Sequence, residues 1–118
     1  MKNEKFLVVG YGNMGKLHTS IIKSLIPEAI FDIIDEKNIH FKDNYFSQIS
    51  YEEINNINSY SGIIISSHSD SHLQYLKRFA DYKKLIFIEK PVVNNSLEFY
   101  ELKSSNIKNI FCGFIETH

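Results

Sequence analysis

Residues 6–18, FLVVGYGNMGKLH, join two different periodicities across a glycine turn. Phe6-Leu7-Val8-Val9 is an unbroken apolar run, the pattern of a short strand covered on both faces. It stops at Gly10. From Asn13 the spacing is helical, with Met14, Leu17, Ile21, Ile22 and Leu25 recurring at three- and four-residue steps until Pro27 ends the helix.

The same alternation continues down the chain. Residues 29–34 read as a second strand that closes on Asp35. Residues 36–44 are polar and too few for a full crossover helix, which predicts a turn or a helical stub before a short third strand at 45–49. Ser50 with Glu53 three residues on forms the sequence of a capping box, predicting a brief helix through Ile57. Residues 62–65 give another apolar strand, followed by the small polar pair Ser66 and Ser67. A helix starting at Asp70 or Ser71 carries Leu73, Leu76, Phe79 and Ala80 on one side, and residues 85–88 form the next strand. Ser96 caps a further helix with Leu97, Tyr100 and Leu102, and residues 110–115 close the pattern as a last strand. Strands alternating with helices predict an α/β fold: a doubly wound, mainly parallel sheet in three α/β/α layers, one Rossmann-type domain over residues 1–118.

Composition narrows the partners. A net charge of −1 gives no electrostatic footprint for nucleic acid or an anionic membrane. The start, MKNEKFLVVGYG, holds an apolar run too short for a signal or membrane segment. Cys112 is the single cysteine, so there is no intrachain disulfide, and a cytoplasmic location is the default expectation. No set of His, Asp or Glu residues has metal-ligand spacing, and no metal is expected.

Gly10, Gly12 and Gly15 stand in G-x-G-x-x-G spacing, with a strand before them, a helix after them and Asp35 twenty positions beyond the third glycine. Gly10 would permit the tight turn, Gly12 the approach of a pyrophosphate to the backbone, and Gly15 close packing of helix on strand. The helix start at Asn13 and Met14 points free N–H groups and a partial positive charge at the phosphates. Asp35 would accept hydrogen bonds from the adenosine ribose hydroxyls and repel a 2′-phosphate, which favours NAD over NADP; Lys37 could soften that preference. A methyltransferase also pairs a glycine turn with an acid after the second strand. It usually has an acidic residue before the glycines, where this chain has Val8-Val9.

Taken in order, GYGNMGKLH, Asp35, IIISSHSDSH ending in His72, and Glu89-Lys90-Pro91 resemble the N-terminal domain of the glucose-fructose oxidoreductase/inositol dehydrogenase (Gfo/Idh/MocA) family. The resemblance spans nearly all 118 residues. It implies that Lys90 is catalytic, orienting the reacting hydroxyl and stabilising developing negative charge during hydride transfer. It also implies that Glu89 lies at the nicotinamide end of the cofactor, that Pro91 fixes the turn, and that Ser66, Ser67, His68 and His72 border the cofactor channel. His68 stands where the family usually has proline, and the segment after Asp35 is shorter than usual, trimming the adenine side. His18 is expected to pack or cap at the helix start.

Family members continue into a larger domain that binds substrate and mediates oligomerisation. The resemblance therefore implies an oxidoreductase acting on a CH–OH group of a sugar, nucleotide sugar or cyclitol, with this chain as its NAD(P)-binding part. Its partners would be a sugar-type small molecule, held through a second domain absent from these residues, and further copies in a homo-oligomer. The alternative is a stand-alone, non-catalytic dinucleotide-binding or redox-sensing module. On either reading the 118 residues alone are expected not to turn over substrate.

Overall fold

The computed structural model describes residues 4–67, 72–89 and 110–113, with residues 72, 73, 89 and 110–113 by backbone only. Among them six strands form one sheet: β1 (Lys5–Val9), β2 (Ile30–Ile34), β3 (Phe46–Gln48), β4 (Gly62–Ile65), β5 (Leu85–Glu89) and β6 (Ile110–Gly113). Their order is β3-β2-β1-β4-β5-β6, and every pairing is parallel. Helices α1 (Asn13–Leu25) and α2 (His72–Arg78) complete a doubly wound α/β fold. The order reverses between β1 and β4. Chain leaving β1 turns toward β2, and chain leaving β4 turns toward β5, so a crevice opens at the carboxyl ends of these strands.

The unbroken apolar runs follow from burial on both faces. Leu7, Val9, Ile63, Ile65, Ile86 and Ile88 point to one side, where Leu76, Phe79 and Tyr82 pack on them. Val8, Phe31, Ile33 and Ile64 point to the other, against Ile22 of α1. Each fully buried Leu, Ile or Phe contributes about 1.5–3 kcal/mol relative to exposure. A one-residue slip of any strand would invert this pattern.

Helix α1 begins and ends where its periodicity indicates, but it buries a different face from its leucines. Gly15 and Thr19 are the buried residues, one turn apart. Leu17, Ile21 and Leu25 are 44%, 48% and 76% exposed. Small side chains let the helix lie close to the sheet.

The segment between β2 and β3 forms bends and turns and no helix. Ile39 and Phe41 fill that side of the core instead, with the Phe41 ring stacked on Phe46 at 5.1 Å. The brief helix expected through Ile57 is instead two separate 3-10 turns, Tyr51–Glu53 and Ile57–Ser59. The Glu53 carboxylate accepts the Ser50 N–H at 2.9 Å, as the capping-box sequence requires, yet the box closes a single turn only. The helix expected from Ser96 lies outside the described residues, as do residues 70, 71, 114 and 115.

One polar cluster interrupts the apolar layers. Asp32 is buried in β2, where the Tyr60 hydroxyl donates to its Oδ2 at 2.7 Å and Lys5 Nζ lies 3.4 Å away. The Tyr82 hydroxyl in turn donates to the Tyr60 carbonyl at 3.0 Å. Burial pushes the Tyr60 phenol well above its ordinary value, and the bond to Asp32 adds to it. Burial alone pushes Tyr82 up to about 12.

Candidate functional site

The glycine turn occupies the mouth of the crevice. Gly10 has φ +90°, a conformation that side-chain-bearing residues rarely adopt. A Cβ there would stand 2.6 Å from the Ser67 backbone N and Cα. The turn leaving β1 is therefore pressed directly against the chain leaving β4. At Gly15 a Cβ would overlap the Gly10 carbonyl oxygen. Gly12 differs from both: a Cβ would meet nothing within 4 Å, so this backbone is open to an approaching ligand.

Gly12 is also the N-cap of α1. No side chain caps the helix and its first turn holds no acidic residue. The Lys16 N–H donates to the Gly12 carbonyl at 2.9 Å, closing the first turn. Asn13 and Met14 are the first two residues of the helix, where N–H groups lack intrahelical acceptors and the helix dipole is positive.

Asp35 lies across the turn, immediately after β2. Its Oδ2 accepts the Tyr11 N–H at 2.7 Å and its Oδ1 accepts the Lys37 N–H at 2.9 Å. These bonds tie the glycine turn to the loop after β2 and leave each carboxylate oxygen a second lone pair. The Ser66 hydroxyl donates to the Gly10 carbonyl at 2.7 Å, which fixes the turn from the β4 side.

A cleft of about 930 Å³ opens here, lined by Gly10, Gly12, Asp35, Ser66 and Ser67; Asn13, Met14 and Gly15 lie outside its lining and follow Gly12 directly in α1. Five residues singled out in the sequence thus come together at one place. Glu89 ends β5 at the same edge of the sheet, opposite Gly113 of β6, and His72 is the first residue of α2. His68 and Lys90 lie outside the described residues. The His18 ring packs edge-on against Phe87 at 4.9 Å, the packing expected for it.

Sequence reasoning passed over three contributors. Gln74 and Tyr75, on α2, form part of the cleft wall. Gln48, at the end of β3, accepts the Ile39 N–H at 2.8 Å and donates to the Lys37 carbonyl at 2.7 Å, pinning the loop after Asp35. A helix-borne Tyr beside the apolar positions Leu76 and Phe79 reads as core, and a lone Gln in a short strand gives no signal at all.

A parallel sheet with a glycine turn, an uncapped helix start and a strand-end carboxylate around one crevice defines a dinucleotide-binding domain. Residues 4–109 match the model of the Gfo/Idh/MocA oxidoreductase family, NAD-binding Rossmann fold, and the chain belongs to that family. No curated protein matches the chain by sequence. Among solved structures it is similar to the WlbA dehydrogenase from Chromobacterium violaceum in complex with NADH and UDP-GlcNAcA. That match has 14% identity and TM-score 0.70, covering 96% of this chain and 35% of that one. A myo-inositol dehydrogenase from Lactobacillus casei, in complex with NAD(H) and myo-inositol, matches at 17% identity and TM-score 0.71, covering 95% and 37%. A myo-inositol dehydrogenase from Corynebacterium glutamicum matches at 17% identity and TM-score 0.74, covering 95% and 36%. The chain spans little more than a third of the length of these proteins.

Proposed function

We propose that this chain is the cofactor-binding part of an oxidoreductase that moves a hydride to or from a CH–OH carbon of a sugar, nucleotide sugar or cyclitol. The observation that carries this reading is the cleft itself. It joins the Gly10–Gly12 turn, the uncapped start of α1 and the Asp35 carboxylate at the point where the strand order reverses.

In this reading the N–H groups of Asn13, Met14 and Gly15 face the pyrophosphate, and Gly12 lets it approach the backbone. Asp35 accepts the ribose hydroxyls through the lone pairs left by Tyr11 and Lys37. Ser66 and Ser67 form the opposite wall, and the family resemblance assigns His68 and His72 to the cofactor channel. Bound NAD would supply the hydride acceptor or donor. Glu89 ends β5 at the same sheet edge, and the family resemblance assigns the next residue in the chain, Lys90, to the reacting end of the cofactor. There its ammonium would hold the substrate hydroxyl and stabilise negative charge developing on oxygen. The choice of substrate then belongs to polypeptide outside these 118 residues, and the 118-residue chain alone oxidises no polyol.

The test is a fluorescence titration of the purified chain with NADH, beside Asp35→Ala. Loss of a charge-assisted hydrogen bond at the ribose predicts affinity weaker by about tenfold or more. NADH binding that is unaffected by Asp35→Ala would refute the assignment of Asp35.

A further inference from the structure

Gln48 is the last residue of β3 and lies outside the wall of the cleft, yet its side chain reaches three alternate residues of the loop that carries Asp35. Its Nε2 donates to the Lys37 carbonyl at 2.7 Å and to the Asp35 carbonyl at 3.3 Å, and its Oε1 accepts the Ile39 N–H at 2.8 Å. These bonds assign the orientation of the amide, because the reverse one would turn its oxygen toward two carbonyls. The backbone behind it is held as well. Gln48 stands opposite Ile33 in the parallel β2–β3 ladder, and the Ile49 N–H donates to the Ile33 carbonyl at 2.8 Å. Residues 36–41 form bends with no helix or strand, so their backbone groups depend on such side-chain partners. The Asp35 carboxylate depends on the same loop, its Oδ1 held by the Lys37 N–H and its Oδ2 by the Tyr11 N–H. The two carbonyls that Gln48 grips lie on either side of the peptide that supplies the Lys37 N–H.

We infer that Gln48 is a positioning residue for cofactor binding: by fixing the loop it holds the Asp35 carboxylate where the ribose hydroxyls meet it. The inference rests on reading Asp35 as the ribose acceptor. A carboxylate tied at one oxygen only, by Tyr11, swings about its side-chain torsions, and the ligand must then order it on binding. Ordering it beforehand removes that cost from the binding equilibrium. Because Gln48 stands outside the cleft, its effect is confined to the groups that bond Asp35, which are the ribose hydroxyls and not the base or the phosphate. Gln48→Glu isolates the point at nearly constant shape. Glutamate keeps an acceptor for the Ile39 N–H and sets its second carboxylate oxygen against the two carbonyls, where no donor remains.

The experiment is calorimetric titration of the 118-residue chain with 5′-AMP and with its 2′,3′-dideoxy analogue, which lacks both ribose hydroxyls. The unaltered chain should bind 5′-AMP about tenfold tighter, the equivalent of one charge-assisted hydrogen bond. In Gln48→Glu and in Gln48→Ala that preference should fall to about threefold or below, the loss being the cost of ordering one side chain. Binding of the dideoxy analogue should stay unchanged. The Asp35→Ala/Gln48→Ala double variant should match Asp35→Ala alone, since the two residues act through one contact. Circular dichroism checks that each variant folds. A full preference in both Gln48 variants, or equal weakening of the two nucleotides, would overturn the role of Gln48 while Asp35 stands. No preference in the unaltered chain, or failure of both nucleotides to bind, would overturn the reading of Asp35 and this inference with it.

Discussion

Replacing Gly10 by alanine, with Gly12→Ala as its control, separates two jobs that the same residue type performs within three positions of the start of α1. Gly10 has φ +90°, and a methyl group there would stand 2.6 Å from backbone atoms of Ser67 and 2.9 Å from the Ser66 carbonyl carbon. The positive φ costs roughly 1–2 kcal/mol for a residue with a Cβ. Forcing the two strand exits apart adds about 1–3 kcal/mol, the usual range for overpacking. Gly10→Ala should therefore lose about 2–5 kcal/mol, out of a total of roughly 6–18 kcal/mol for a chain of this length. Gly12 has φ −85° and open space beyond its Cα. Gly12→Ala should stay within about 0.5 kcal/mol of the parent, because slightly poorer capping is offset by a less flexible unfolded chain. Urea denaturation followed by circular dichroism reads both. The two variants should part in stability, yet both should weaken NADH binding: one by moving the turn, the other by standing in the cleft. Equal stability of Gly10→Ala and Gly12→Ala would refute the account of the turn.

Three further outcomes follow from particular contacts. Tyr60→Phe removes the hydroxyl that donates to buried Asp32, and should cost about 1.5–3 kcal/mol in the same urea assay; a loss below about 0.5 kcal/mol would show the cluster is not stabilising. The fold favours the neutral phenols of Tyr60 and Tyr82, so their contribution is fully present below the unfolded value near pH 10. Stability should then fall above pH 10, through about 12 for Tyr82 and higher for Tyr60, by up to about 1.4 kcal/mol per pH unit for each; stability that stays flat from pH 9 to 11.5 would contradict this. Gln48→Ala frees the loop after Asp35 and should cost about 1–3 kcal/mol, with faster amide exchange at Ile39; unchanged exchange there would mean Gln48 does not pin the loop.

The architecture was legible because both of its signals are local. Continuous apolar runs such as residues 6–9 and 62–65 mark strands covered on two faces, and the step from an unbroken apolar run to period 3.6 across Gly10 marks the turn into α1. The glycines and Asp35 were legible for a related reason: their spacing reflects a backbone constraint, and the structure brings Gly10, Gly12 and Asp35 to one cleft with Ser66 and Ser67. Three things depended on tertiary packing and were not readable. The buried stripe of α1 runs over Gly15 and Thr19 because close approach to the sheet favours small residues over Leu17 and Ile21. The capping-box sequence at Ser50 opens one 3-10 turn, since a cap sets where a helix starts and not how far it runs. The roles of Gln48 and Tyr75 come from strand and helix placement that no local pattern encodes.

The most direct test of the account is amide chemical-shift mapping of the ¹⁵N-labelled chain on addition of NADH. The largest changes should fall on Gly10, Gly12, Asn13, Met14 and Gly15, with a second group at Ser66 and Ser67 across the crevice. Changes concentrated elsewhere on the sheet, or none at millimolar NADH, would contradict the assignment of this cleft as the dinucleotide site.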